Sequence, residues 1–291
     1  MVSTLINAAF GPYILRDMIS AGGIAEVYRA THQEDQRAVA VKVMRPEMQA
    51  DKYHHACFRE EFGYLQRLQH DGLPAARRMG EIRGRTSFAM DYIAGEPLHL
   101  ACKKQQNFNH LAAFLELVEV VAYLHSQHVV HADLKLENVI LRPTGNLVLV
   151  DFGNAREMVT KSFFARIFSP SKSRVFGTPT YLAPELMKGE QPSYASDVYS
   201  LGVCAFVLLS GEPPFHANSR TGRLKANLKE EAPSIRSRCT ELPGQAAVAI
   251  DRCLSKSPDE RPASAESLLG MIKMLAPAKN VSTSKFVRTM K

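Results

Sequence analysis

The stretch HADLKLENVILRPTGNLVLVDFG, His131 to Gly153, decides how the rest of this chain is read. Two short apolar runs, Asn138-Val139-Ile140-Leu141 and Leu147-Val148-Leu149-Val150, flank the turn residues Pro143-Thr144-Gly145-Asn146. Apolar strand formers bounded by Pro, Gly and Asn predict a hairpin. A hairpin returns the chain, so residues before its first strand come near those after its second. Asp133, Lys135 and Asn138 are therefore expected close to Asp151, although they are separated along the sequence.

These residue types suit one chemistry. Mg²⁺ takes oxygen ligands and is commonly held by one or two protein groups plus phosphate oxygens. Asn138 and Asp151 fit that role. A carboxylate outside the metal, Asp133, can orient a hydroxyl and accept its proton. Lys135 can neutralise charge on a phosphoryl group in flight. Positioning and charge stabilisation are most of what phosphoryl transfer needs from a protein. The stretch resembles the catalytic loop and DFG motif of the protein kinases, written H-R-D-L-x-x-x-N and D-F-G. The resemblance implies an α+β, bilobal protein kinase fold. Its small β-rich N-lobe would cover 1–92 and carry a helix, for which Lys52 to Gln69 is the candidate αC. Its larger, mainly helical C-lobe would cover 93–275, with a basic tail over 276–291.

Upstream, Ser20-Ala21-Gly22-Gly23-Ile24-Ala25-Glu26-Val27 joins two strand-like runs. Glycines there let backbone N–H groups approach phosphates, although a plain hairpin turn has the same composition. The family loop reads G-x-G-x-x-G-x-V. With Val27 as its Val, Ser20 and Ala25 replace two glycines, which keeps the space but makes positive φ harder to reach. Lys42 closes the alternating run Val39-Ala40-Val41-Lys42. It is either a strand lysine snorkelling to solvent or, by resemblance to the family's VAIK, the lysine that grips the α- and β-phosphates. Such a lysine needs an acidic partner. The helix candidate has Phe58, Phe62, Leu65 and Leu68 on one face and contains Glu60 and Glu61. The family register, read on Phe58-Arg59-Glu60-Glu61, selects Glu61, with Glu60 as the alternative.

Arg77 to Asp91 reads as a second strand pair turning at Arg83-Gly84-Arg85. By resemblance, Met90 is the gatekeeper and backbone groups of Asp91 to Ile93 bond adenine; core packing would also explain Met90. The nucleotide site implied by the family thus comprises Ser20, Ala21, Gly22, Gly23, Val27, Ala40, Lys42, Met90, Asp91, Ile93 and Ile140.

Leu111 to His125 has helical periodicity and reads as a buried helix. His125, His128 and His131 recur every three residues, but Val129-Val130 breaks the helical phase. No Cys or carboxylate completes a tetrahedral zinc site there. Ala132 stands where most kinases have Arg. That Arg usually pairs with a phosphorylated loop residue, so the resemblance implies a non-RD kinase. Residues 154–182 are Ser-rich and basic, and correspond to the activation segment. Thr160, Ser162, Ser169, Ser171 and Ser173 are its candidate autophosphorylation sites. Gly177-Thr178-Pro179-Thr180-Tyr181-Leu182-Ala183-Pro184-Glu185 is close to the family's GTPxYxAPE. By resemblance, Thr178 would bond Asp133 and Lys135, and Glu185 would pair with Arg261. Asp197-Val198-Tyr199-Ser200-Leu201-Gly202 resembles the family's DVxSLG, in which Asp197 would cap the catalytic-loop backbone. A plain helix N-cap Asp is the simpler alternative.

Composition narrows the remaining classes. The 291 residues are 45% hydrophobic and 22% charged, ordinary for a globular protein. The net charge of +7 is spread out, with no basic stripe or recognition motif for nucleic acid. Five cysteines without a CxxC pair read as free thiols in a reducing compartment. No secretory signal is evident, and the longest apolar run, Val198 to Leu209, is too short to span a bilayer. The basic tail from Pro277 is similar to the linker that precedes the membrane span in many bacterial membrane kinases. That likeness implies a cytoplasmic domain, with membrane attachment only through a segment absent from this chain.

The resemblance covers about residues 10–275 and is greatest to the bacterial Hanks-type Ser/Thr kinases; a narrower likeness is to the threonine kinase associated with type VI secretion. It implies transfer of the ATP γ-phosphoryl group, with Mg²⁺ or alternatively Mn²⁺, to Ser and Thr hydroxyls of proteins, the chain itself included. Asp133, Lys135, Lys42 and Glu61 would be catalytic, and Asn138 and Asp151 would hold the metal. Lys135 in Asp133-Leu134-Lys135 favours Ser/Thr over Tyr as acceptor. A pseudokinase-like nucleotide-binding scaffold is the alternative, suggested by the altered glycine loop and Ala132. A small-molecule phosphotransferase would typically lack the GTPxYxAPE segment.

Overall fold

Alternation of apolar and polar residues is strongest in the N-terminal third, and there it forms a sheet. The computed structural model describes residues 5–104, 108–158, 178–216 and 219–274. The chain divides into two compact units, 1–95 with 142–153, and 96–141 with 154–291. The division falls at Gly95, where the sequence reading puts it at 92, and the first unit also takes Arg142 to Gly153.

In the first unit, β1 (Ala9–Phe10), β2 (Tyr13–Ala21), β3 (Ala25–His32), β4 (Ala38–Met44), β5 (Ala76–Ile82) and β6 (Arg85–Asp91) form one antiparallel sheet in the order β1-β2-β3-β4-β6-β5. Side chains alternate across a strand. Val39, Val41 and Val43 therefore enter one core with Leu15, Tyr28, Ile82 and Ala89, and Lys42 points to the opposite face. Lys42 lies in register with Val27 on β3 and Phe88 on β6.

Helix α1 (Lys52–Arg67) starts at Asp51, whose carboxylate accepts from the Tyr53 and His54 amides. It ends two residues before the sequence reading has it, where the chain turns extended at Leu68. Phe58 and Phe62 pack on Phe88 with ring centroids 4.9 and 5.8 Å apart. The β2–β3 loop closes with the Gly22 amide donating to the Ala25 carbonyl at 2.8 Å. None of residues 20–25 has positive φ, so Ser20 and Ala25 carry no strain there. A short strand, Leu147–Leu149, completes this unit.

The second unit is mainly helical: α2 (Leu98–Lys104), α3 (His110–Ser126), α4 (Pro184–Met187), α5 (Tyr194–Ser210), α6 (Arg220–Lys229), α7 (Gly244–Cys253) and α8 (Ala265–Met274). Helix α5 is apolar nearly all round and correspondingly buried. A Ser193–Ser196 capping box opens it, and Gly211 closes it at φ 82. α3, α7 and α8 pack around it. At Gly202 of α5, an added Cβ would sit 2.7 Å from the Cys253 Cβ of α7, so glycine sets that approach. Strand β7 (Glu96–Pro97) pairs with β9 (Val139–Leu141), and β8 (Val129–Val130) with Arg156–Glu157. Asn138 belongs to a 3-10 turn, Leu136–Asn138, and not to the strand the sequence suggests. Among the described residues no helix is long and apolar enough to cross a membrane.

Candidate active site

In the first unit the geometry converges on Lys42. Its Nζ lies 2.7 and 2.8 Å from the two Glu61 carboxylate oxygens and 2.9 Å from Asp151 Oδ1. The β4 register fixes the lysine, and the inward face of α1 fixes Glu61, while Glu60 is exposed. Side-chain exposure is 12% for Lys42, 2% for Glu61 and 47% for Asp151, so the outermost carboxylate is the accessible one. Burial alone would lower the Lys42 pKa, but Asp151 and Glu61 outweigh it and hold the lysine protonated, above its ordinary value. Burial raises the Glu61 pKa, against the pull of Lys42. With all three groups ionised, the cluster carries one uncompensated negative charge, on its exposed side.

That arrangement suits a divalent cation at Asp151. Among the described residues no group of three or more His, Cys, Asp or Glu side chains forms a self-sufficient metal cage. A cation that keeps few protein ligands and shares phosphate oxygens fits such a site. Asp151 itself has φ 66, and a Cβ on Gly153 would lie 3.4 Å from Asp151 Oδ1 and 3.6 Å from Glu61 Oε2. Gly153 thus leaves the carboxylates room.

The other expected nucleotide residues of this unit follow the sheet. Ser20, Ala21, Gly22 and Gly23 are exposed, and nothing lies within 4 Å of a Cβ built on Gly23. Ala40 is paired in register with Met90. The Asp91 carboxylate accepts from Arg77 Nε at 2.7 Å and from the Ala75 amide at 3.2 Å. Val27, Met90 and Ile93 are half-buried.

In the second unit, Asp133, Lys135 and Asn138 form one cluster. Lys135 Nζ donates to Asp133 Oδ2 at 2.7 Å, and Asn138 Nδ2 donates to the Asp133 carbonyl at 3.0 Å. Thr178 was expected to bond Asp133 and Lys135, but those two pair with each other. The Thr178 carbonyl instead accepts from the Tyr181 amide, closing a turn. Ile140 lies on β9 and is half-buried.

Asp197 organises this loop from α5. It accepts from the His131 amide at 2.8 Å and from the Ala132 amide at 2.9 Å. Bending two successive amides onto one carboxylate carries Ala132 to φ 61, a left-handed conformation rare for a residue with a Cβ. The Ala265 amide donates to His125 Nδ1, so Nε2 holds the ring proton and faces Asp197 at 3.2 Å. The histidines do not share a zinc site, since His128 Nδ1 faces Tyr194 and His131 Nδ1 accepts from the Asp133 amide. Glu185 and Arg261 form the expected buried pair, with Nη1 and Nη2 donating to the two carboxylate oxygens at 2.7 and 2.8 Å. The loop serines, Thr160 and the basic tail lie outside the described residues.

Sequence reasoning missed two polar networks in the first unit. Buried Glu26 accepts from Arg85 Nη2 at 2.8 Å and from the Tyr28 hydroxyl at 2.9 Å. Thr86 Oγ1 bonds Gln49 Oε1 at 3.2 Å and His55 Nε2 of α1 at 2.8 Å. It also missed Asn227, buried on α6. A buried charged residue in an alternating strand, as at Glu26 and Arg85, was the one available signal.

The chain matches the family model described as "Protein kinase domain" over residues 13–271. It is similar to the serine/threonine-protein kinase pkn3 of Myxococcus xanthus, 32% identical over 88% of this chain and 48% of that one. Similarity to the serine/threonine-protein kinase PknA of Mycobacterium tuberculosis is 32% identity over 86% and 58%. For the serine/threonine-protein kinase PkaA of Streptomyces coelicolor it is 32% over 91% and 50%. The chain spans about half the length of the curated relatives it matches. A match that runs from β2 into α8, together with relatives that align over most of its length, makes this chain a member of the protein kinase domain family.

Proposed function

We propose that this domain transfers the γ-phosphoryl group of ATP to Ser and Thr hydroxyls of proteins, its own included. The observation that carries this reading is the Lys42 ammonium set between Glu61 and Asp151. In this proposal Lys42 neutralises the α- and β-phosphates, and Glu61 holds it extended. The backbone of Ser20 to Gly23 covers the phosphates. Val27, Ala40, Met90 and Ile140 take the adenine ring, with the backbone of Asp91 to Ile93 bonding its edge. Asp151 and Asn138 are the metal ligands, for Mg²⁺ or alternatively Mn²⁺. When bound, the cation supplies charge neutralisation between phosphate oxygens. Asp133 accepts a hydrogen bond from the acceptor hydroxyl, orients it and takes its proton as the oxygen attacks. Lys135 hydrogen-bonds the Asp133 carboxylate in the ground state and stabilises the transferring group. Filled base, lysine and metal positions weigh against the scaffold alternative.

The finer proposals follow from single residues. Ala132 makes the domain non-RD, so loop order does not depend on an Arg–phosphate clamp. The chain serves as the cytoplasmic catalytic part of a longer bacterial signalling protein. Its likeness to the type VI secretion-associated kinase is the proposal for its pathway. The deciding experiment is incubation with labelled ATP and Mg²⁺, followed by mass spectrometry of the chain. Label on Ser or Thr, absent from Asp133→Ala, supports the kinase reading. Nucleotide binding without any transferred label would replace it with the scaffold.

A further inference from the structure

Four consecutive backbone carbonyls, those of Pro179, Thr180, Tyr181 and Leu182, are each taken by a buried side chain. Asn227 Nδ2 donates to Pro179 O at 2.6 Å and reaches Thr180 O at 3.3 Å and Leu182 O at 3.5 Å. Ser200 Oγ of α5 donates to Tyr181 O at 2.8 Å. Asn227 is 1% exposed and is held in turn. Its Oδ1 accepts from the Tyr199 hydroxyl at 3.4 Å, and its backbone carbonyl accepts from Lys256 Nζ at 2.9 Å. An amide has two hydrogens to give, so three carbonyls share them, and the Pro179 bond is the short one.

The strip so fixed touches the loop that carries Asp133. The buried Tyr181 hydroxyl faces the Glu137 carboxylate and the Leu136 amide. Leu136 and Glu137 lie between Lys135 and Asn138. Two links therefore run in series, from α6 to the strip through Asn227, and from the strip to the reaction loop through Tyr181. Thr178, Pro179 and Thr180 are half-buried and so offer surface next to that loop, which a polypeptide acceptor at Asp133 can touch and water need not.

We infer that Asn227 is the positioning residue for the polypeptide acceptor, fixing Pro179 to Leu182 beside the Asp133 loop. The inference rests on the kinase reading. Asn227→Asp keeps the size and the Tyr199 bond but turns the donor into an acceptor facing three carbonyls. With myelin basic protein as acceptor, its kcat/KM is expected to fall about tenfold or more, mostly through KM, as fits the loss of buried hydrogen bonds. The KM for ATP, and the rate of ATP hydrolysis with no protein acceptor, should stay within about twofold of wild type. Ser200→Ala, which frees the Tyr181 carbonyl and removes a longer bond to the Ser196 carbonyl within α5, should show the same split at about threefold, and serves if Asn227→Asp melts too low to assay. Unchanged kcat/KM in the folded variants overturns the inference, as does an equal fall in protein phosphorylation and ATP hydrolysis. Wild-type chain that hydrolyses ATP but phosphorylates no protein overturns the kinase reading itself, a different result.

Discussion

At Asp133 a single carboxylate has two neighbours that hold it ready, Lys135 on its oxygen and Asn138 on its backbone. Removing it should leave ATP affinity nearly unchanged while turnover falls. For loss of a general base the fall is about 10²- to 10⁴-fold. Protein phosphorylation beside calorimetric ATP binding measures both, and equal turnover in Asp133→Ala would reject its role. Glu185 is a different kind of residue, since its carboxylate answers an Arg261 guanidinium with a fully buried side chain. Glu185→Ala strands that cation and should cost about 3–5 kcal/mol in urea unfolding. A loss within error would mean Arg261 finds other partners, for which its bonds to the Ser255, Lys256 and Ala195 carbonyls are the candidates.

The residues that could be read in the sequence are those in dense runs. Asp133, Lys135, Asn138 and Asp151 declare themselves because oxygen and ammonium groups crowd one short stretch. Glu61 was harder, since one position along a helix turns a side chain by about 100° and leaves Glu60 as a rival. Asn227 was not legible at all. It is a lone amide in a polar helix, and its partners lie 45 to 48 positions away. Thr86, His55 and Gln49 are silent for the same reason.

Among elements, the sheet and the helices differ in how they were foreseen. Strand β4 showed its pattern plainly, because alternation has a short period that a seven-residue strand displays. Helix α5 lacks amphipathic contrast, yet its apolar length and the Gly211 stop still mark it as buried. What the pattern does not disclose is the closeness of its neighbour. Gly202→Ala would push a methyl to within 2.7 Å of Cys253 Cβ, so α5 and α7 must separate or Cys253 must shift. Overpacking of this kind costs about 1–3 kcal/mol. Thermal melting of Gly202→Ala, with the double variant Gly202→Ala, Cys253→Gly as relief, tests it. Restored stability in the double variant identifies the α5–α7 contact as the cause, and an unperturbed single variant would show that the helices yield freely.

For the molecule as a whole, pH dependence of stability is readable at Lys256. Burial, with Arg261 acting the same way against the pull of Glu231 and Glu230, brings its ammonium down to about 8. A lysine whose folded pKa lies below its unfolded value costs stability while it is charged. That cost is full below pH about 8 and fades as pH rises towards the ordinary lysine value, about 10.4, because the unfolded chain binds more protons across that range. Wild type should therefore gain stability relative to Lys256→Met between those two pH values, measured by denaturant unfolding at each pH. A flat difference would show that the ammonium is well solvated. The chain spans about half the length of the relatives it matches. Measurements on this domain speak for its own stability and chemistry.

The carboxylate pair around Lys42 has a bearing on how the domain would meet reactive small molecules. An amine held as an ammonium has no lone pair to offer, so acylating or sulfonylating warheads aimed at this lysine should label it slowly. Neutralising Asp151, by Asp151→Asn, takes away one of the two charges that keep the proton in place, and labelling should quicken. Inhibitor chemistry directed at Lys42 would therefore do better to engage Asp151 first, drawing its charge aside before the electrophile arrives.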